Sequence, residues 1–221
     1  MLKKSDWLLL AFIVFTLIAG ISLYSSLPEQ VPSHWNIKGE VDDYSNKFFA
    51  IFFFPGINFV LFVLLIVLPK IDPRKRNYEQ FKGVYNIFRW IIHLFLGIIY
   101  LLTLIYAVWD SAAIPTFMQV SFIVPFLVSL LFIIIGNYLG KIKDNFFVGV
   151  RTPWTLSSKE VWLKTHRLTG KLFVLSGVIG MIGSFFGGTA GFIMLFIPII
   201  ATSLFSILYS YFAFQQEQKK Q

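Results

Sequence analysis

The chain is 221 residues long, 57% hydrophobic and 19% aromatic, with only 14% charged side chains. An ordinary soluble domain is about 45–50% apolar and about 25% charged, so a mean hydropathy of +0.73 excludes a soluble globular domain and a disordered chain alike. The formal charge is +8, and no cysteine is present to form a disulfide, a thiolate metal site or a thiol nucleophile.

Six apolar runs approach the roughly 20 residues needed to cross about 30 Å of hydrocarbon. The first, Trp7–Tyr24, is longer than a signal-peptide core and lacks a small-residue cleavage site, so it reads as an uncleaved signal anchor. Ser25–Lys47 follows as the one sizeable segment on the far side. Its Pro28 and Pro32 break helix at the membrane exit, and Asn36-Ile37-Lys38-Gly39 reads as a turn. Phe48–Leu68 is the second span, and Lys70–Asn86 a basic, polar loop that anionic lipid would hold close. Ile87–Trp109 is the third span, Ser111–Phe117 a short loop and Met118–Leu139 the fourth span.

The segment Gly140–Lys171 is polar and structured. Ser157 fits the N-cap and Glu160 the N3 position of a capping box, and Val161, Thr165, Leu168 and Leu172 then form a helical stripe. This pattern predicts an interfacial amphipathic helix running into a fifth span, Leu172–Gly187. A glycine turn leads to the sixth span, Phe192–Phe214.

Charge orients the spans. Seventeen of the nineteen basic residues fall at the N-terminus, in the loops 70–89 and 141–171, and in the tail. The opposite face keeps Lys38 and Lys47 against Glu29, Glu40, Asp42, Asp43 and Asp110. The positive-inside rule therefore predicts both termini in the cytoplasm. The expected fold is an all-α polytopic membrane protein with six spans, a single membrane domain over residues 1–221. Its outer loop is 25–47 and its main cytoplasmic loop 140–171.

Motifs for chemistry are scarce. Ionisable groups at membrane depth would mark ion paths, and only His93, past Arg89, comes close, as a proton-sensitive group or a packed histidine. His34, His93 and His166 are far apart in sequence, although His34 with Asp42 and Asp43 would make an outer metal site. Neither a G-x-S-x-G nor a P-loop occurs, so neither an enzyme nor a cofactor is expected. Ser176, Gly180 and Ser184, Gly183 with Gly187, and Gly136 with Gly140 have the spacing that lets membrane helices pack closely, inside a bundle or at a homodimer face.

Two segments stand apart. Outside lies Pro32-Ser33-His34-Trp35-Asn36, followed by Gly39 and Lys47. On the cytoplasmic side lies Gly149-Val150-Arg151-Thr152-Pro153-Trp154-Thr155-Leu156, with Trp162 downstream. Gly149 permits an unusual backbone angle. Arg151 carries five donors for a carboxylate, a phosphate or exposed carbonyls. Pro153 stiffens a turn, and Trp154 and Trp162 suit a membrane interface. These residues read as a lipid-anchored turn or as a partner site.

The octet with Trp162 resembles the signature of the SdpI family of bacterial toxin-immunity proteins. The outer P-x-H-W-N looks like the small domain of unknown function that often precedes it. The resemblance implies a multi-pass protein of the bacterial cell membrane that protects against a secreted peptide toxin. It further implies capture of a cytoplasmic winged-helix autorepressor, with lipid as the standing partner and no direct nucleic-acid contact. The marked residues are Pro32, His34, Trp35, Asn36, Gly149, Arg151, Thr152, Pro153, Trp154 and Trp162. The competing readings are a structural or envelope-stress membrane protein and a small-molecule transporter, for which Pro55, Pro125 and Pro198 would kink three spans.

Overall fold

In a computed structural model, residues 3–109 and 113–220 are described. Asp110 and Ser111 lie outside the described residues, as does the extreme N-terminus. The chain forms α1 (Lys4–Ser22), a hairpin of β1 (Gln30–Trp35) and β2 (Val41–Asn46), α2 (Lys47–Ile71) and α3 (Tyr78–Val108). Then come α4 (Val120–Leu139), the short α5 (Pro153–Ser157), α6 (Lys159–Ser184) and α7 (Gly188–Gln218).

Among the described residues, five helices, α1, α2, α3, α4 and α7, are long and apolar enough to cross a membrane. The remaining expected span, the fifth, sits in α6. Its first half carries Lys159, Glu160, Lys164, Arg167 and Lys171, which lower its mean hydropathy, and its second half is apolar. The expected interfacial helix and fifth span are thus one continuous 26-residue helix. Outward-facing residues such as Phe15, Ile18, Phe59, Val60, Leu204 and Phe212 are about half exposed, as suits a chain whose outer solvent is lipid.

The helices pack as two groups of three: α1, α2 and α3 with the hairpin, and α4, α6 and α7. In the first group α1 buries Asp6, Leu9, Ile13, Thr16 and Gly20, a stripe at three- and four-residue spacing. Gly20 makes room for the Tyr100 ring, whose hydroxyl donates to the Ile51 carbonyl at 3.1 Å. Asn58 and His93 bond reciprocally: His93 Nδ1 lies 2.6 Å from Asn58 Oδ1, and Asn58 Nδ2 donates to the His93 carbonyl at 3.3 Å. Fully buried, His93 is the packed histidine of the two readings. Asp6 and Arg89 form an ion pair at 2.7 Å with both side chains almost enclosed.

The second group depends on small residues. The Gly136 and Gly170 backbones meet so closely that a Cβ on Gly136 would lie 2.6 Å from the Gly170 carbonyl oxygen. Gly180 faces Ser129 and Leu195, and Gly183 faces Met194 and Gly191. Between α6 and α7, hydroxyls pair in the interior: Thr169 donates to Ser206 at 2.7 Å, and Ser176 meets Thr202 at 2.9 Å. Lipid tails leave no hydrophobic drive between helices, so close approach and interhelical hydrogen bonds supply the attraction. The small-residue rows therefore serve the bundle interior.

Two local expectations are corrected. Helix α3 begins at Tyr78, so much of the expected polar loop Lys70–Asn86 is helical. The reason is packing: Tyr78, Phe81, Tyr85 and Phe88 recur at helical spacing and join Leu139, Ile142 and Trp162 in one apolar cluster. The N-cap of α6 is Ser158, whose hydroxyl accepts from the Val161 N–H at 3.2 Å. Ser157 instead ends α5 and donates to the Pro153 carbonyl at 2.6 Å.

Gly136→Leu is expected to destabilise the protein in detergent by about 1–3 kcal/mol or more through overpacking. Gly56→Ala, at a position with nothing within 4 Å, is expected to leave the melting temperature unchanged or raise it. Thermal unfolding of the two variants against wild type checks this.

Candidate functional site

The two motif segments lie at opposite ends of the bundle, and each sits where the three-helix groups meet. At one end, the hairpin turn is tied by Asn36. Its side-chain oxygen accepts from the N–H groups of Lys38 and Glu40 at 2.9 and 3.2 Å, and its Nδ2 donates to Glu40 Oε2 at 3.0 Å. Gly39 takes φ +82°, a left-handed angle that favours glycine. A Cβ there would lie 2.9 Å from the Ser121 Cβ, so the turn presses on the start of α4. Pro32 is buried in β1 opposite Tyr44. The Trp35 ring meets Tyr106 of α3 edge-on at 5.6 Å. The Tyr106 hydroxyl in turn accepts from the Val120 N–H at 2.9 Å.

His34 Nδ1 and Asp42 Oδ1 approach to 2.6 Å across the hairpin. Asp43 turns its carboxylate back to the Tyr44 N–H at 2.8 Å, so the imagined three-residue metal site does not assemble. Among the described residues no cluster of three His, Asp or Glu side chains converges.

Beneath the hairpin lies a cleft of about 450 Å³. Its polar mouth is His34, Asn36 and Asp42; its apolar walls include Val124 and Pro125 of α4 and Leu195 and Phe196 of α7. Hence one wall comes from the first helical group and the others from the second.

At the other end, the loop between α4 and α5 is built around Asn145, which is fully buried. Its Oδ1 accepts from the Phe147 and Val148 N–H groups at 2.9 and 2.7 Å, and its Nδ2 donates to the carbonyls of Lys143 and Val148 at 2.9 and 3.0 Å. Asp72, at the end of α2, accepts from the Phe146 N–H at 2.9 Å, the Arg74 N–H at 2.6 Å and the Tyr78 hydroxyl at 3.2 Å. Arg74 adds an ion pair to Asp144 at 3.1 Å and a bond to the Leu156 carbonyl at 2.7 Å. These contacts latch the first helical group to the second.

The octet completes the loop. Gly149 has φ +113°, and a Cβ there would collide with His166 Nε2. That nitrogen accepts from the Val150 N–H at 3.0 Å, which requires it to be unprotonated. His166 Nδ1 therefore carries the proton and donates to the Trp162 carbonyl at 2.8 Å. Trp162 stacks on His166 at 4.0 Å and donates from Nε1 to the Ile142 carbonyl at 2.9 Å. Burial pushes His166, which precedes the apolar part of α6, down to about 4.

Thr152 is the N-cap of α5: its hydroxyl accepts from the Thr155 N–H at 3.2 Å and meets Ser210 of α7 at 2.9 Å. Pro153 occupies the first position of α5, where its missing N–H costs nothing. Trp154 meets the Tyr211 ring edge-on at 5.1 Å. Arg151 differs from the rest. Like Pro153 it is exposed, but its charged head makes a single bond, from Nη1 to the Phe146 carbonyl at 2.8 Å.

So Gly149, Thr152, Pro153, Trp154 and Trp162 build the loop, while Arg151 projects from it. Asp72, Asn145 and His166 carry no sequence signal that joins them to the octet, and Thr155 stands within it. The Asp72-Pro73 and Asp144-Asn145 pairs were the available turn signals, but nothing local marks them as partners.

Comparison with known proteins follows the same division. Residues 141–210 match the SdpI/YfhL protein family. Residues 11–59, which include the whole hairpin, match a domain of unknown function, DUF1648. The chain is 25% identical over 208 residues to the Immunity protein SdpI of Bacillus subtilis (strain 168), covering 94% of this chain and 95% of that protein. No solved structure matches the chain.

Two outcomes are expected here. Gly149→Ala should lower the melting temperature by forcing the loop off His166. Stability should also fall as pH drops from about 6.5 toward 4, because the unfolded chain then binds a proton that folded His166 refuses. His166→Gln should flatten that part of the difference profile in detergent unfolding measured against pH.

Proposed function

For this member of the SdpI/YfhL protein family, we propose a role as a membrane immunity protein against a secreted peptide toxin. The observation that carries the reading is end-to-end similarity to a protein named for immunity, joined to a cleft and a latch on the same seam between helical groups. We read the apolar second half of α6, from Leu172 onward, as the fifth of six spans, since α6 packs against both α4 and α7. The basic end, with both termini, faces the cytoplasm by charge, and the whole chain acts as one membrane unit.

In this reading the amphipathic toxin enters the cleft under the hairpin. Its apolar face meets Val124, Pro125 and Phe196, and its cationic groups meet Asp42 and Glu40. Binding there favours one relative position of the two helical groups, provided the toxin's affinity for the two positions differs. The loop bearing Arg151 moves with the second group and presents a different surface. A cytoplasmic winged-helix repressor is the proposed reader of that surface, with Arg151 as its contact.

The test is expression in a toxin-sensitive host, with toxin challenge and localisation of a tagged repressor. Val124→Trp should fill the cleft and abolish protection at a normal protein level. Arg151→Ala loses one exposed hydrogen bond, so it should fold normally and keep protection while losing repressor capture. Wild-type chain that gives neither protection nor capture would overturn the reading, and full capture by Arg151→Ala would remove the role of that side chain.

A further inference from the structure

A second cavity lies apart from the cleft under the hairpin. It has a volume of about 740 Å³ and lies at the basic end of the first helical group, where α1 begins, α2 ends and α3 begins. Its lining is two-sided. Leu65, Ile66 and Pro69 of α2 form an apolar wall, while Lys3, Lys70, Lys75, Lys82 and Arg89 supply cationic groups. Two acids also line it, and both are engaged: Glu79 pairs with Lys82 at 3.6 Å and Asp6 with Arg89 at 2.7 Å. Lys3, Lys70 and Lys75 have no acidic partner among the described residues.

Arg89 is the second observation. It is 7% exposed, yet among the described residues its Nε and Nη2 have no hydrogen-bond partner. Asp6 takes only Nη1. Burying donors of a guanidinium without acceptors is costly, and nearly all buried polar groups are paired. A planar fork with two vacant donors matches two oxygens of a phosphate. Hydroxyl and amide groups of Ser5, Tyr85 and Asn86 stand around the same space.

We propose that this cavity binds a phosphate-bearing group, the headgroup of an anionic phospholipid, with Arg89 at its inner end and Lys70 and Lys75 at its rim. The apolar wall favours the lipid over a free anion. Leu65 and Ile66 border Leu64 and Val67, which are exposed toward the lipid side of α2, so an acyl chain has a continuous apolar path out of the site. The volume lies in the range of ordinary small-molecule sites. The site belongs to the half of the chain that carries the hairpin, and it does not depend on toxin or repressor.

The test uses the full-length chain in neutral detergent, with bound lipid counted by native mass spectrometry. Phosphatidylglycerol and phosphatidylcholine are titrated separately, then phosphatidylglycerol with inorganic phosphate as competitor. Wild type should hold one phosphatidylglycerol tightly and discriminate against phosphatidylcholine. Lys70→Gln with Lys75→Gln, both exposed positions, should weaken retention roughly tenfold or more. Asp6→Asn with Arg89→Gln removes the buried pair together, leaving no lone charge, and should abolish the discrimination in a chain that keeps its helical circular dichroism. Retention resistant to inorganic phosphate assigns the site to the lipid; retention displaced by it assigns the site to a soluble phosphate. Equal retention and equal discrimination in wild type and both double variants would overturn the proposal, as would wild type that binds neither phosphatidylglycerol nor phosphate.

Discussion

The basic end of the molecule depends on one buried carboxylate. Asp72 is 1% exposed and accepts hydrogen bonds from Arg74, Tyr78 and Phe146. A carboxylate withdrawn from water without such partners is penalised by several kcal/mol. Asp72 thus fixes where α2 stops, where α3 starts and how close the loop after α4 must come. Asn145 repeats the device with a neutral side chain that satisfies the turn in which Phe147, Val148 and Gly149 sit. Because the Tyr78 hydroxyl touches both Asp72 and Asn145, at 3.2 and 3.3 Å, the two centres form one network. The octet is carried on this base: its threonine cap, its proline and Trp154, with Trp162 downstream, all orient relative to a loop that Asp72 and Asn145 have already placed.

Away from that network the two helical groups are held by different means. The α4–α6–α7 group relies on backbone-to-backbone approach at Gly136, Gly170, Gly180 and Gly183, with hydroxyl pairs in the seam. Such contacts tolerate little sliding, since any added volume meets a carbonyl. The α1–α2–α3 group instead uses aromatic rings and buried polar pairs, Tyr100 with Ile51, Asn58 with His93 and Asp6 with Arg89. It also contains the cavity of about 740 Å³. One half is therefore packed closely on small residues and hydroxyls, and the other is built on larger rings and encloses a charged pair.

The membrane class, the helices and the two motif-bearing segments were legible from sequence because lipid imposes them through composition, period and charge. Pairing of small residues was legible too, as spacing of four on a helix puts them on one face. The rest was hidden for specific reasons. The hairpin strands are short and carry Pro32, which weakens any strand signal. The early start of α3 was masked by Lys75, Arg76, Lys82 and Asn86, whose polarity outweighs the stripe Tyr78, Phe81, Tyr85 and Phe88 when hydropathy is averaged. The roles of Asp72, Asn145 and His166 arise from contacts up to 74 residues away, which no local pattern encodes. The octet was recognised as a signature, but only the geometry separates its loop-building members from the exposed Arg151.

That separation constrains any switching between the two ends. Moving a two-state equilibrium from 1:99 to 99:1 takes about 5.5 kcal/mol of differential binding. Opening the latch completely would strip Asp72 of its bond to Phe146 and Asn145 of its bond to Tyr78, and would break both Arg74 contacts. Hydrogen bonds to charged groups are worth about 1.5–3 kcal/mol each, so full opening demands more than one ligand in the cleft supplies. The lower-cost movement keeps Asp72 satisfied and lets the groups tilt about it, with the partly exposed Arg74–Asp144 pair as the contact that gives. Such a tilt pivots at the basic end and is largest at the hairpin end, where Gly39 rests on Ser121 and Trp35 on Tyr106. The cleft thus lies where a small angular change alters its width most, and the loop carrying Arg151 lies beside the pivot, where the same change is felt as a rotation.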